Sequence, residues 1–316
     1  MSLEHWEAIY RNGTIATGPS QSGGNYDKEV RQSWVDFFSN CRPGTRILDV
    51  ASGNGAVAII AAETARELER AFTVHACDLA LIQPLQDVPD AAVRLSGIQF
   101  HPGIALERLH FPDACFDVVC GQYGLEYTDT AIALKELHRI LTPDGAAMFI
   151  LQHAASAQVQ KAHITLREAE FVLNDAKVYR RLRQLISADQ ATPKFAQNAG
   201  KQLQLSIQAI KRALPEAQAV GAGLVFQVTL NAIHQILQLR ADRGPVLLSR
   251  EIDLAEGDLR SWVRRLKDLV ASAKDEDGML AIEEQATKAG FEVVGRGPQV
   301  YNGNELVGWK LLLRRK

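Results

Sequence analysis

The chain of 316 residues is long enough to bury a large core, either in one domain with an insertion or in two small domains. Hydrophobic residues make up 47% and charged residues 23%, the balance of an ordinary globular protein. The formal net charge of −2 gives no overall attraction to nucleic acid or to an anionic membrane, so neither is an expected partner.

The chain begins with a leader and a helix. Residues 1–26 contain a short amphipathic piece and then a segment rich in glycine, serine and threonine, which is typical of a mobile loop. Two interpretations are open: a lid over a ligand site, with Tyr10 and Tyr26 touching the ligand, or a surface tail. The next residues, 27–40, have apolar side chains at helical spacing and predict a helix with one buried face. We expect residues 1–45 to form this lid and helix.

The most informative segment is a strand followed by a glycine turn. Residues 46–50 form an apolar run that predicts a strand with an acid, Asp49, near its end, and a helical pattern opens shortly after it. Between strand and helix, Gly53 and Gly55 permit positive φ angles and let a ligand touch bare backbone. The helix start offers unpaired N–H groups to a polar or anionic ligand. Nucleotide-like cofactors bind at such turns in open α/β sheets, although the spacing alone also fits a dinucleotide site.

Three later segments reduce that ambiguity. Residues 72–78 predict a second strand ending in Asp78, residues 109–120 predict a turn that leads into a fourth strand, and residues 137–146 predict a helix end before a fifth strand. A dinucleotide-binding dehydrogenase would not predict these three segments. Strands alternate with helices up to residue 153, which is the pattern of a parallel doubly wound sheet.

This ordered series resembles the Rossmann-like, or class I, S-adenosylmethionine-dependent methyltransferases. Their usual forms are a D-x-G-x-G-x-G loop, an acid after strand two, an L-P-F-x-D-x-x-F-D segment and an L-x-P-G-G turn. The resemblance resumes at Ala289-Gly290-Phe291, whereas Ala51 replaces the first loop glycine and Ile104 lies where an acid often contacts adenine. The resemblance implies an α/β fold with a doubly wound, mostly parallel seven-stranded sheet whose last strand is antiparallel.

The resemblance also implies which residues hold the expected cofactor, S-adenosyl-L-methionine. Asp49 would approach the methionine amino group, and Asp78 would accept hydrogen bonds from the ribose hydroxyls. Backbone contact is expected in the glycine loop, with further contacts after strands two and four and from the leader. The full set of expected cofactor-binding residues is Asp49, Ala51, Gly53, Gly55, Asp78, Leu79, Gln122 and Tyr26.

Three residues are candidates for roles in the reaction, Tyr127 only as one of two interpretations. Methyl transfer from a sulfonium is an in-line displacement that depends mainly on holding the acceptor close, aligned and away from water. Tyr123 and Tyr127 follow strand four and would favour the sulfonium through their ring faces, Tyr127 being equally interpretable as a core residue. His153, at the end of strand five, is the first candidate for a general base. A structural role for His153, or an acceptor that needs no base, is the alternative.

The four cysteines show no C-x-x-C spacing, and three lie in or beside predicted strands. We interpret them as reduced thiols, with no metal site and no disulfides. The N-terminus lacks the basic and apolar regions of a signal peptide. These observations together favour a cytoplasmic protein.

After residue 153 the alternation stops, and residues 154–276 predict a large helical insertion between strands five and six. Residues 155–274 hold 18 Lys and Arg against 11 Asp and Glu, so the insertion is basic and the rest of the chain acidic. Residues 217–239 contain no charged residue but too many polar ones for a membrane span. One face of that helix carries a polar stripe, defined by Gln227, Asn231, His234 and Gln238. The stripe is satisfied by neighbours or a dimer partner, or it lines an acceptor pocket.

The resulting domain organisation places S-adenosylmethionine binding in residues 46–153, completed by a last helix and strands six and seven in residues 277–316. The insertion is expected to cap the carboxyl ends of strands four and five or to form a homodimer. The leading interpretation is a methyltransferase for oxygen or nitrogen of a small molecule, including anionic or natural-product-like metabolites. The alternatives are a peptide or protein methyltransferase that docks its substrate on the insertion, and a non-catalytic S-adenosylmethionine-binding protein.

Overall fold

The computed structural model of the chain describes residues 3–20, 24–188, 192–240 and 242–316. The chain divides into two compact units. The first unit comprises Met1–Val159 and Ala271–Lys316, and the second comprises Gln160–Val270. In sequence, the second unit lies within the predicted insertion, residues 154–276.

A seven-stranded sheet forms the centre of the first unit. Its strands are β1 (Arg46–Val50), β2 (Thr73–Asp78), β3 (Ile98–Pro102), β4 (Phe116–Gln122), β5 (Leu141–Leu151), β6 (Phe291–Tyr301) and β7 (Glu305–Arg315). Their order in the sheet is β3-β2-β1-β4-β5-β7-β6. Neighbouring strands from β3 to β5 are parallel, whereas β7 is antiparallel to both β5 and β6. The predicted doubly wound sheet with an antiparallel last strand is therefore confirmed.

Twelve α-helices accompany the sheet in the described parts of the chain. They are α1 (Glu4–Arg11), α2 (Lys28–Ser39), α3 (Ala56–Glu67), α4 (Pro84–Asp87), α5 (Ala91–Arg94), α6 (Thr130–Ile140), α7 (Ala157–Glu170), α8 (Val178–Ser187), α9 (Pro193–Ala219), α10 (Leu224–Leu239), α11 (Pro245–Ser272) and α12 (Glu276–Lys288). The chain passes from the first unit to the second within α7 and returns within α11.

Both faces of the sheet are covered by helices, as a parallel sheet requires. Successive side chains of β1 illustrate this, because Ile47 and Leu48 point to opposite faces and are both fully buried. Ile47 belongs to a cluster that contains Trp34 of α2, and Leu48 belongs to a second cluster that contains Leu134 of α6. This arrangement explains why the strands read as continuous apolar runs.

The sheet brings three strand ends together at one edge. Strand β1 lies between β2 and β4 and is parallel to both, and Asp49 is level with Ala76 on one side and Cys120 on the other. Parallel neighbours end at the same edge, so the residues that follow Asp49, Cys77 and Cys120 converge there. A ligand site in an open α/β sheet is expected at such a point.

The second unit is helical throughout its described residues, as predicted for the insertion. Its buried polar groups are matched: the Glu168 carboxylate accepts hydrogen bonds from the N–H groups of Gly223 (2.5 Å) and Val225 (3.1 Å) at the start of α10. Phe226 and Ile233 of α10 are buried. The four side chains of the polar stripe on the same helix are exposed, so none of the described residues covers them.

None of the helices in the described ranges has the length and hydropathy needed to cross a membrane. All four cysteines are free thiols.

Candidate functional site

A cavity opens at the carboxyl ends of β1, β2 and β4, in the first unit. Its lining combines strand-end residues with residues from the leader. The residues that line it are Leu3, Trp6, Tyr10, Ile15, Thr17, Tyr26, Asp49, Ala51, Ser52, Gly53, Ala56, Val57, Asp78, Leu79, Leu106, Glu107, Gln122, Tyr123, Gly124, Tyr127 and Thr128. Eight of the ten residues predicted for the site are therefore in one place, and the two outside the lining are Gly55 and His153.

The loop after β1 supplies bare backbone to the cavity. Gly53 has a φ angle of +52°, and a Cβ atom built on it would lie 2.5 Å from the Tyr10 ring. Ala51 also has a positive φ angle, +50°, which is the left-handed region that favours glycine. The substitution of alanine for the first loop glycine therefore leaves the loop conformation in place. Gly55 precedes α3 with a φ angle of +88° and turns the chain into the helix.

Asp49 reaches from β1 to the start of α3. Its Oδ2 accepts a hydrogen bond from the Ala58 N–H (2.9 Å), whereas its Oδ1 is buried without a partner. Burial raises the pKa of this carboxyl to about 8, with a smaller raising effect from Asp78. A buried acceptor atom without a donor is costly unless a ligand supplies one, so Oδ1 fits a ligand ammonium group.

Asp78 ends β2 and is held by two backbone groups. It accepts hydrogen bonds from the N–H of Gly53 (2.7 Å) and the N–H of Ala80 (2.8 Å). Burial raises its pKa, against the lowering effect of those two hydrogen bonds. A carboxylate has about four lone-pair sites, so two remain for ligand hydroxyls. Leu79, the next residue, is 44% exposed and lies at the cavity wall.

Gln122 ends β4, Tyr123 follows it, and both are buried at the cavity. The side-chain oxygen of Gln122 accepts a hydrogen bond from the indole N–H of Trp34 (2.7 Å), and its amide nitrogen is buried without a hydrogen-bond partner. Tyr123 has a φ angle of +58°, and its hydroxyl donates to the Val307 carbonyl (2.9 Å). Burial raises the pKa of Tyr123, so the phenol stays neutral and its ring is available to a cationic sulfonium.

The leader forms one wall of the cavity, which favours a lid over a surface tail. Tyr10 and Tyr26 are 8% and 4% exposed. Trp6 packs edge-on against Tyr127 with ring centroids 5.9 Å apart. The side-chain amide of Asn54, in the loop after β1, donates to the carbonyls of Tyr10 and Thr14, both at 2.9 Å, and so ties the leader to the glycine loop.

His153 lies outside this cavity. Its ring stacks on Trp309 with centroids 4.3 Å apart, and its Nδ1 accepts a hydrogen bond from the Ala155 N–H (2.9 Å). Because Nδ1 is an acceptor, the neutral ring carries its proton on Nε2 and cannot also accept a proton there. A base at Nε2 would require the other tautomer and the loss of this hydrogen bond. Burial lowers the pKa of His153.

Sequence reasoning missed Glu126, a buried acid in the turn after β4. Its Oε1 accepts from the Gln152 N–H (2.7 Å), and its Oε2 is buried without a partner. Burial raises its pKa to about 7. Glu126 is not one of the residues that line the cavity, and only its position three residues after Tyr123 could have drawn attention to it. Within the described ranges, no three metal-ligating side chains come together.

The sheet defines a Rossmann-like domain, and the cavity lies where the strand order reverses between β1 and β4, the place at which nucleotide-type cofactors bind in such folds. Residues 48–149 match the sequence model of a family described as a methyltransferase domain. The family recognised from the sequence is thereby confirmed: the chain carries a class I S-adenosylmethionine-dependent methyltransferase domain, and S-adenosylmethionine is the cofactor of that family.

Curated relatives carry the same domain. Over 122 residues the chain is 31% identical to the ubiquinone/menaquinone biosynthesis C-methyltransferase UbiE of Xanthomonas oryzae, a match that covers 37% of this chain and 47% of the relative. Over 109 residues it is 36% identical to the demethylmenaquinone methyltransferase of Deinococcus radiodurans, which covers 33% of this chain and 42% of that protein. The chain spans about half the length of the curated relatives it matches.

Among solved structures, the chain is similar to an S-adenosylmethionine-dependent methyltransferase from Mesorhizobium loti. The two are 24% identical, the match covers 40% of this chain and 55% of that chain, and the TM-score is 0.32. A likeness at this level says nothing about the site.

Proposed function

We propose that the protein transfers the methyl group of S-adenosylmethionine to a small-molecule acceptor. The observation that carries this proposal is the convergence of Asp49, Gly53, Asp78 and Gln122 on one cavity at the strand ends. The unpartnered Oδ1 of Asp49 and the unpartnered amide nitrogen of Gln122 both fit a polar ligand. Gly53 has no side chain, so a ligand can approach its backbone closely once the Tyr10 ring that packs against it moves.

When bound, the cofactor supplies an electrophilic methyl group on a positively charged sulfur. The protein holds the cofactor through its own residues: Asp49 takes the amino group, Asp78 takes the ribose hydroxyls, and the Gly53 backbone allows close contact. The ring of Tyr123, which lines the cavity, would stabilise the positive charge of the sulfur and help to exclude water. Because the Tyr10 ring rests against Gly53, we expect the leader to shift when a ligand enters and to close over it afterwards.

The residues that line the cavity also indicate which chemical class of acceptor it would bind. Among the described residues around the cavity there is no Lys, Arg or His, and five aromatic side chains contribute: Trp6, Tyr10, Tyr26, Tyr123 and Tyr127. Such a wall favours a flat, uncharged acceptor over an anionic one. The sequence interpretation favours oxygen or nitrogen as the methylated atom, whereas the two relatives are a quinone-pathway C-methyltransferase and a demethylmenaquinone methyltransferase by name. Carbon of an aromatic ring is therefore a second candidate.

The test is methyl transfer from S-adenosylmethionine labelled in its methyl group. The acceptors would be a panel of phenols, amines and quinols, with product mass and carbon NMR identifying the methylated atom. The account predicts label in at least one small molecule and none with the variant Gly53→Val. Label that appears only in added peptides or proteins would support the peptide alternative. Tight cofactor binding without transfer to any acceptor would support the non-catalytic one.

A further inference from the structure

The structure shows how one buried tryptophan controls a polar group of the cavity. Trp34 lies on α2 and is fully buried. An indole N–H can only donate, so the atom of Gln122 that lies 2.7 Å from it must be the amide oxygen. The amide nitrogen, with its two N–H groups, is then forced to the other side. The orientation of the Gln122 amide therefore follows from the chemistry of Trp34.

The amide nitrogen of Gln122 can donate a hydrogen bond to a ligand. It is buried, it makes no hydrogen bond of regular geometry, and Gln122 lines the cavity. The amide is close enough to the Tyr123 hydroxyl to lower its pKa, against the larger raising effect of burial. Even with that neighbour, the nitrogen has a second N–H to offer. A buried donor without a partner is costly, so this group is matched to a ligand oxygen.

An unpartnered acceptor accompanies this donor on the same face of the sheet. Asp49 is level with Cys120 across the β1–β4 pair, and Gln122 is two residues further along β4, so all three side chains point to one face. Asp49 offers Oδ1 as an acceptor, and Gln122 offers its amide nitrogen as a donor. This pair is complementary to an α-amino acid group, whose ammonium donates and whose carboxylate accepts. The described lining contains no cationic side chain that would compete for the carboxylate.

We propose that Trp34 is a positioning residue that fixes the Gln122 amide as the donor to the carboxylate of the cofactor's methionyl group. This proposal rests on the proposed function, in that it takes the cavity as the S-adenosylmethionine site. Trp34, a residue of α2 outside the cavity lining, thus affects recognition of one end of the cofactor through the Gln122 amide. Recognition of the adenosine end does not depend on it.

Two probes separate these ends. S-Adenosylhomocysteine carries the amino acid group, and 5′-methylthioadenosine lacks it. Calorimetry with both probes would be run on the wild type, Trp34→Phe, Gln122→Met and the double variant. The measured quantity is the ratio of the two dissociation constants. In Gln122→Met, the dissociation constant of S-adenosylhomocysteine divided by that of 5′-methylthioadenosine should rise about tenfold or more, since a hydrogen bond to a charged group is lost. Trp34→Phe should raise it about threefold to tenfold, because the amide is then free to turn. The double variant should match Gln122→Met alone.

Phe38→Leu is the matched control for packing. Phe38 is fully buried on the same helix and stacks on Trp34 with ring centroids 5.9 Å apart. Its side chain has no polar atom, so it cannot form a hydrogen bond with the Gln122 amide. This control should lower the melting temperature and leave the ratio unchanged. The proposal is overturned if Trp34→Phe weakens both probes equally, or if the effects of Trp34→Phe and Gln122→Met on the ratio multiply. If the wild type binds neither probe, the proposed function fails instead.

Discussion

The unit that contains the sheet buries several polar side-chain atoms without partners, whereas the helical unit, over its described residues, pairs those that it buries. At the strand ends of the first unit, Asp49, Asn54, Gln122, Glu126 and Gln152 each have one such atom. In the described part of the second unit, the buried polar side chains all make hydrogen bonds. They are Thr165, Glu168, Ser206 and Thr229.

This difference is what we expect between a unit that binds a ligand, here the sheet unit, and a unit that serves only as structural support. Each buried polar atom without a partner costs about 1–3 kcal/mol. The helical unit avoids that cost with internal hydrogen bonds such as those of Glu168 to the start of α10. The sheet unit leaves such atoms at several places, and a ligand in the cavity would satisfy those of Asp49 and Gln122, the two of these residues that line it. The contrast predicts that changes at the strand ends alter ligand binding, and that changes on the exposed face of the helical unit do not.

The largest effect is expected from Gly53→Val. The new side chain would overlap the Tyr10 ring and the space of the ligand, and the φ angle of +52° adds backbone strain. Calorimetry should show S-adenosylhomocysteine binding weakened by at least about a hundredfold, as expected of severe overpacking. Gly97→Val is the control, because Gly97 also has a positive φ angle, +81°, but open space around its Cβ position. Equal losses of affinity in the two variants would attribute the effect to strain and not to the site.

Ligand binding should also depend on pH through Asp49. Burial raises the pKa of its carboxyl to about 8, so the group is mostly protonated at pH 6 and ionised above pH 8. A ligand ammonium requires the ionised form. Affinity for S-adenosylhomocysteine should therefore rise nearly tenfold per pH unit from pH 6 to about pH 8 and then level off.

Two comparisons assign that pH dependence. The slope should disappear in Asp49→Asn, and it should be absent for 5′-methylthioadenosine, which has no ammonium group. A flat profile for S-adenosylhomocysteine in the wild type would contradict contact between Asp49 and the amino group.

A smaller effect is expected from Asp78→Asn. The backbone N–H groups of Gly53 and Ala80 donate to different oxygens of Asp78, so the variant, with an NH2 group in place of one oxygen, loses an acceptor both for one of these N–H groups and for the ribose. Affinity for S-adenosylhomocysteine should fall about tenfold, the value of one charge-assisted hydrogen bond. The pH slope due to Asp49 should remain. Unchanged affinity at an unchanged melting temperature would show that the acid does not touch the ribose.

The smallest effect is expected on the polar stripe of the second unit. Asn231 is exposed, so Asn231→Lys should change neither the melting temperature nor the affinity for S-adenosylhomocysteine. Methyl transfer and oligomeric mass then separate the two predicted roles of this unit. Lost transfer at unchanged mass supports a cap over the acceptor, and a lower mass with transfer retained supports a dimer surface. If Asn231→Lys lost affinity for S-adenosylhomocysteine, the claim that the exposed face of the helical unit does not influence ligand binding would be wrong.

Local patterns in the sequence predicted the sheet and the place of the cofactor residues. An acid at the end of a strand and the glycines after it can be placed from the sequence, because parallel neighbouring strands end at the same edge of the sheet. Asp49, Gly53, Asp78 and Gln122 come from separate segments and line one cavity for that reason.

Contacts between distant segments could not be read in the same way. The Trp34–Gln122 hydrogen bond joins residues 88 positions apart, and Trp34 in the sequence is only one apolar residue on a helix face. The packing of Tyr10 on Gly53 likewise depends on how the leader folds back. His153 was placed correctly at the end of β5, but its stacking on Trp309 depends on β7, which follows more than 150 residues later.

A crystal structure of the complex with S-adenosylhomocysteine tests the central claim most directly. The account predicts the ligand at the carboxyl ends of β1, β2 and β4, with its ribose at Asp78 and its amino acid group between Asp49 and the Gln122 amide. A ligand bound elsewhere, or one whose amino acid group contacts neither Asp49 nor Gln122, would contradict the account.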